Sequence, residues 1–262
     1  MTDIQRKILE HWDAWIYEQE EDETEMAEYL VKKLGRQPMK IFEAGCGGGK
    51  LCAPLAQAGH DVTGVDRNEN MLAYARKRAE ELPNLHVSQA DMLTTAWGKD
   101  FDAVVLGANL MNNIEGDWED KRAQKRLIER AYESLRMGGR LFIDFDCPLH
   151  LSTWLPANHE WVCFDGADDA GTFGRYIVID GAINDRTRTL SGGRRWEITP
   201  KGGERFVYRE EYAGKHFPSV EEVFSWLYRI GFAVESLHGG YRNEPFDREH
   251  RRAVIWARKI AV

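Results

Sequence analysis

The sequence predicts an α/β protein: a doubly wound, largely parallel sheet joined to an antiparallel β-rich insert. Three observations carry this. Short apolar runs alternate with amphipathic stretches from residue 39 to residue 145, a glycine-rich loop directly follows the first run, and helical periodicity vanishes between residues 148 and 217.

The chain opens with helix. Ile4, Ile8, Leu9, Trp12 and Ile16 fall near a 3.6-residue period, and Ala27, Leu30, Val31 and Leu34 repeat it before Gly35. Between them Glu18 to Glu25 reads EQEEDETE, a solvated connection or helix start where carboxylates suit the positive end of the dipole. Strands follow at Met39–Ala44, Val62–Val65, Leu85–Val87, Phe101–Leu106 and Leu141–Phe145. Helices lie between them at Leu51–Ala58, closed by Gly59; at Met71–Glu81, stopped by Pro83; and at Asp117–Met137, ended by Gly138-Gly139. Right-handed crossovers place such helices on both faces of the sheet. In the insert Tyr176–Ile179, Arg195–Ile198 and Arg205–Tyr208 alternate as antiparallel strands, with Gly192-Gly193 and Gly202-Gly203 as turns. Helix returns at Ser219–Ile230 with Gly231 as its cap, followed by strands Phe232–Leu237 and Ala253–Ala257. The expected organisation is a helical segment at 1–36, a sheet core at 37–147, the insert at 148–217 and a completion of the core at 218–262.

Composition narrows the function classes. The 262 residues carry a net charge of -8, which argues against a nucleic-acid partner, since those usually meet a basic face. No apolar run approaches the roughly 20 residues needed to span a bilayer, and the polar, amphipathic N-terminus does not read as a secretory signal. Cys46, Cys52, Cys147 and Cys163 form no C-x-x-C pair and no metal-ligand cluster. The expectation is a reduced, cytoplasmic protein with no metal, monomeric or homodimeric, acting on a small molecule.

The sharpest local feature is Glu43-Ala44-Gly45-Cys46-Gly47-Gly48-Gly49, between the first parallel strand and a helix. Glycines there let a ligand approach the main chain, and open parallel sheets bind ligands beyond the carboxyl ends of their strands. Asp66 ends the second strand, where a carboxylate can accept from two ribose hydroxyls. Together they indicate a nucleoside with a free ribose, which fits a nicotinamide dinucleotide or S-adenosylmethionine. A dinucleotide G-x-G-x-x-G would need glycine where Lys50 stands. Glu43 would repel a pyrophosphate and attract a cationic amino group. Arg67 could meet a 2′-phosphate, but Asp66 beside it would repel that group. Asp91-Met92 follows the third strand, suited to accept from an adenine amine and pack beside its ring.

These residues resemble the class I S-adenosylmethionine-dependent methyltransferases. Glu43 to Gly49 matches their E/D-x-G-x-G-x-G motif, Asp66 their ribose ligand and Asp91-Met92 their adenine-edge position. Phe101–Val105 and Leu135–Leu141 resemble their fourth strand and the approach to their fifth. The resemblance covers roughly 37–147, with a weaker echo at 218–259. It implies a Rossmann-like sheet of seven strands with an antiparallel last strand, S-adenosylmethionine as cofactor, and methyl transfer to N or O of a small-molecule acceptor. The insert and the F-P-S-V-E-E-V stretch are loosely similar to amino-sugar and glycine-type N-methyltransferases. The implied cofactor-binding set is Glu43, Gly45, Cys46, Gly47, Asp66, Arg67, Met71, Asp91, Met92, Asn109 and Leu110, with Trp15 and Tyr17 from an N-terminal lid.

Where many relatives carry a histidine pair after the fourth strand, this chain reads Asn109-Leu110-Met111-Asn112-Asn113. The catalytic candidates are therefore His216, Tyr212 and Asn112, with His216 the base candidate because histidine titrates near neutrality. Arg175, Tyr176, Arg194, Arg195, Trp196 and Tyr208 are further candidates for acceptor contact. A neutral amine needs only its lone pair exposed, whereas a hydroxyl needs a base. The sequence leaves N against O open, and an RNA or protein methyltransferase of the same fold or an NAD(P)-dependent oxidoreductase are the competing readings.

Overall fold

The computed structural model describes residues 1–114, 121–247, 249 and 251–261, the side chains of Tyr212 and Ala213 excepted. In chain order the elements are α1 (Asp3–Glu20), α2 (Thr24–Leu34), β1 (Lys40–Ala44), α3 (Cys52–Gln57), β2 (Asp61–Asp66), α4 (Glu69–Ala79), β3 (Leu85–Gln89) and β4 (Phe101–Leu106). Then come α5 (Leu110–Asn113), α6 (Arg122–Ser134), β5 (Leu135–Asp146), α7 (Leu151–Trp154), β6 (His159–Ala167), β7 (Phe173–Asn184), β8 (Thr189–Thr199) and β9 (Phe206–His216). The chain ends with α8 (Val220–Ile230), β10 (Phe232–His238) and β11 (Arg252–Lys259). They form two compact units, one of residues 1–20 and 150–216, the other of residues 21–149 and 217–262.

The larger unit is built on a seven-stranded sheet of order β10-β11-β5-β4-β1-β2-β3. β1, β2, β3, β4 and β5 pair in parallel, while β11 runs antiparallel to both β5 and β10. The central strands β1 and β4 are buried on both faces because both are covered. Phe42, Val104, Leu106, Ile143 and Phe145 enter one core with α6 and α8. Ile41, Ala103, Val105 and Phe142 enter the other with α2 and α3. Alternate residues of one strand thus serve opposite cores, as the pleat requires. α8 starts on the reciprocal bonds of Ser219 and Glu222 and closes at Gly231, whose N–H reaches Leu227 O. The predicted helix over Asp117–Met137 is α6 only from Arg122 to Ser134, since residues 135–137 and the expected Gly138-Gly139 stop lie in β5; residues 117–120 lie outside the described residues.

The smaller unit is an antiparallel sheet of order β6-β7-β8-β9 with α1 against it. Leu9, Trp12 and Ile16, one stripe of α1, bury against Trp196 and Ile198 of β8. Trp12 donates to Asp168 Oδ2 at 2.9 Å. Compactness therefore divides the expected 1–36 segment, since α1 belongs with this sheet and α2 with the larger unit. The turn expected at Gly192-Gly193 is corrected: both lie inside β8, opposite Asp180 and Ile179 of β7. A Cβ on Gly193 would sit 2.5 Å from Glu210 O, so this glycine serves close strand approach, not a turn. Among the described residues no helix is long and apolar enough to cross a membrane.

Candidate cofactor site and acceptor residues

The glycine loop leaves β1 and is tied to β2. Cys46 N–H donates to Val65 O at 3.0 Å, and Gly47 N–H donates to Asp66 Oδ2 at 3.0 Å. Asn68 N–H takes the other oxygen of Asp66 at 2.8 Å. Asn68 in turn caps α4 through the N–H groups of Asn70 and Met71. Asp66 is thus aimed by main-chain donors, one per oxygen. A carboxylate has about four acceptor positions, so capacity remains for two vicinal hydroxyls.

Gly45 has φ of 69°, and a Cβ there would lie 3.1 Å from Leu110 Cδ1 and 3.4 Å from Met92 Cε. The predicted positions Gly45, Met92 and Leu110 therefore meet at the carboxyl ends of β1, β3 and β4, although 65 positions separate Gly45 from Leu110. Met71 is buried in α4, while Arg67 is exposed and accepts at its main-chain carbonyl from Gln89 Nε2 at 3.0 Å. Asp91 is exposed, with Oδ1 accepting from Leu93 N–H at 2.7 Å and from Thr94 N–H at 3.3 Å.

Glu43 lies deeper than the sequence suggests. It is 4 % exposed, and Cys52 Sγ donates to its Oε2 at 2.8 Å. Burial pushes its carboxyl well above the usual carboxylate range, partly offset by the Cys52 contact. A cation over the loop would draw it back toward the charged form. Cys46 is also buried. Its bond to Cys52 holds its thiol down, but burial and the nearby Glu43 and Asp66 outweigh that and raise it, which suits a small residue in a crowded loop and not a nucleophile.

Beyond β4 the main chain is strained. Ala108 and Asn109 have φ of 54° and 56°, a left-handed pair without glycine. What holds them is a polar network that sequence reasoning missed. Asn109 Nδ2 donates to Asp146 Oδ2 at 3.0 Å. Arg252, paired across strands with Asp146, approaches Asp146 Oδ1 with Nε at 3.4 Å and Nη2 at 3.5 Å. Arg252 Nη1 also donates to the Tyr241 hydroxyl at 2.9 Å, and that hydroxyl donates to Asp144 Oδ2 at 2.7 Å. Asp144 is fully buried, and burial pushes its carboxyl up to about 6 despite Arg252 and Tyr241. The available signal was the run FIDFD, two acids inside an apolar strand.

The catalytic candidates are placed as follows. Asn112 is 5 % exposed, and its amide is committed to the main chain of Asp146: Nδ2 donates to Asp146 O at 3.0 Å and Oδ1 accepts from Asp146 N–H at 3.0 Å. Through these two bonds Asn112 clamps the end of β5. His216 ends β9 opposite Thr189 and is 3 % exposed. Tyr212 lies in β9, and its side chain is outside the described residues. Trp15 packs edge-on to Phe164 at 5.3 Å within the smaller unit, and Tyr17 is half-buried on the same helix.

Known proteins bear on this arrangement. Residues 41–139 match the family model described as a methyltransferase domain. A chain of Geobacillus sp. (strain WCH70) named as a methyltransferase is 33% identical over 135 residues, 51% of this chain and about half the length of that relative, 50%. The crystal structure of an S-adenosylmethionine-dependent methyltransferase from Clostridium acetobutylicum superposes with a TM-score of 0.72 at 17% identity, over 99% of this chain and 100% of that one. The sugar N-methyltransferase KedS8 of Streptoalloteichus sp. gives 0.71 at 20%, over 95% and 93%. At such identities the likeness is one of fold. Fold and loop together define a methyltransferase domain. Residues 41–139 match that domain, and the fold is one that S-adenosylmethionine-dependent methyltransferases adopt.

Proposed function

We propose that this protein transfers the methyl group of S-adenosylmethionine to a nitrogen or oxygen of a small-molecule acceptor. The observation that carries the reading is Asp66, fixed by Gly47 and Asn68 N–H groups at the carboxyl end of β2 with acceptor capacity left over. The residues present fit the cofactor. Asp66 would hold the ribose hydroxyls, Met92 and Leu110 would pack beside the nucleoside where Gly45 lets it approach, Asp91 would meet the adenine amine, and buried Glu43 would favour the cationic end from beneath the loop. S-adenosylmethionine supplies an electrophilic methyl already joined to its leaving group. The protein's task is then to align the acceptor atom and exclude water.

An amine is the acceptor these residues favour. His216, the base candidate, is buried, and a neutral amine requires no such base. KedS8, named a sugar N-methyltransferase, is a fold-level precedent. The test is S-adenosylhomocysteine release measured over amines, amino sugars, phenols and hydroxy acids. Turnover only on hydroxyl compounds, lost in His216→Ala, would replace the amine reading. S-adenosylmethionine and S-adenosylhomocysteine should raise the melting temperature while NAD and NADP do not; the reverse would overturn the cofactor assignment. A cofactor role for Trp15 and Tyr17 predicts weaker S-adenosylhomocysteine binding by their alanine variants.

A further inference from the structure

We propose that Asp146 and Arg252 are positioning residues that hold Asn109 as an acceptor for the amino group at the cofactor's amino-acid end; this rests on the cofactor reading above. Asn109 follows β4, next to Leu110, whose side chain crowds Gly45 of the glycine loop. Its amide nitrogen is bonded to Asp146 Oδ2. An ionised carboxylate only accepts, so this bond decides which end of the amide is nitrogen and leaves Oδ1 as an obligate acceptor. That oxygen is buried and has no hydrogen bond among the described residues. Buried polar atoms are normally partnered, and this one calls for an N–H or O–H donor.

Charge selects the donor. Among the described residues, Asp144 and Asp146 share one compensating cation, Arg252, at 3.8 Å and 3.4 Å. The network is therefore short of positive charge, which favours an ammonium over a carboxylate at the open acceptor. Arg252 divides its donors between Asp146 Oδ1 and the Tyr241 hydroxyl, leaving Asp146 Oδ2 for Asn109. Strain makes the clamp necessary: two consecutive left-handed residues keep their conformation only where the surroundings over-determine it.

The test is calorimetric titration of the full chain with S-adenosylhomocysteine and with 5′-methylthioadenosine, which lacks the amino-acid end. Asn109→Gly, whose backbone tolerates the left-handed conformation, should weaken S-adenosylhomocysteine about 10- to 100-fold, as loss of a charged hydrogen bond does, and change 5′-methylthioadenosine less than about twofold. Asp146→Ala and Arg252→Met should show the same selective loss, smaller, and should add nothing in the Asn109→Gly background. Asp146→Asn, which still offers Asn109 an acceptor, should restore most of the affinity and guards against a folding defect in Asp146→Ala. Unchanged S-adenosylhomocysteine affinity in Asn109→Gly, equal weakening of both ligands, or a loss in Asp146→Ala that persists without Asn109 would each overturn the proposal. A wild-type chain that binds neither S-adenosylmethionine nor S-adenosylhomocysteine would overturn the cofactor reading itself, before any variant is made.

Discussion

Carboxylates of the two units are held in two different ways. On the four-stranded sheet, charged side chains satisfy one another. Arg195 grips Glu160 with two nitrogens at 2.8 and 2.7 Å and Glu197 at 3.0 Å, Arg205 meets Glu197 at 2.9 Å, and Arg175 meets Asp165 at 2.9 Å. In the seven-stranded unit, Asp66 is held by main-chain N–H groups and keeps acceptor capacity. A carboxylate saturated by arginines is a cross-strand device. One that is oriented but not saturated can bind. The contrast separates acceptor-side candidates such as Arg175 and Arg195, which already have partners, from the cofactor-side acid.

The comparison can be broken in each unit, and the largest effect belongs to the smaller one. Trp12 is fully buried between Trp15 and Phe164, with ring centroids 5.6 Å from each, and its Nε1 is bonded to Asp168. Trp12→Ala should cost about 3–5 kcal/mol in denaturant unfolding. A loss under about 1 kcal/mol would mean that α1 is not what consolidates this sheet.

Next is Asp144 in the larger unit. Its carboxyl binds a proton more tightly in the folded chain than in the unfolded one, because burial raises it to about 6. Between about pH 4 and pH 6 the folded state therefore carries the extra proton, and rising pH removes stability, by up to about 3 kcal/mol in all. Urea unfolding across pH 4 to 8 should show wild type losing this stability relative to Asp144→Asn and running parallel to it above about pH 7. Parallel curves throughout would contradict a buried, proton-holding Asp144.

Asp66→Ala follows. Two hydroxyl contacts to a charged acceptor are worth about 2–3 kcal/mol after desolvation, so S-adenosylhomocysteine should bind about 100-fold more weakly by calorimetry. Unchanged affinity would remove the ribose role.

Much of this was legible because it is local. The β–loop–α pattern, Asp66 at a strand end and the cap at Gly231 are written in neighbouring residues, and periodicity reads neighbours. The Asn109 network was not legible, because it joins Asn109, Asp144, Asp146, Tyr241 and Arg252, and Arg252 is 106 positions from Asp146. Only the antiparallel register of β11 on β5 brings those two together. Gly192-Gly193 misled for a related reason: paired glycines signal a turn locally, but at Gly193 the constraint is Glu210 O on the neighbouring strand. Glu43 is legible as part of the loop motif but not as a buried group, because sequence shows position along a strand and not depth.

The smallest effect is expected at the other cofactor-side acid, and it sharpens the same comparison. Asp66 ends β2 and Asp91 lies two residues beyond β3, so both acids stand at the carboxyl ends of neighbouring parallel strands. Their surroundings differ. Asp66 is half-buried and takes one main-chain donor on each oxygen, whereas Asp91 is exposed and both of its main-chain donors, Leu93 and Thr94, fall on Oδ1. A hydrogen bond made in water gains little net free energy, about 0.5–1.5 kcal/mol. Asp91→Ala should therefore weaken S-adenosylhomocysteine only about 3- to 10-fold, and part of that would come from loosening the turn at Leu93 and Thr94. Asp91→Asn keeps an acceptor for the turn and should lie closer to wild type. If Asp91→Ala proves as damaging as Asp66→Ala, exposure is the wrong guide to which acid grips the nucleoside, and the distinction between oriented and merely nearby carboxylates loses its basis.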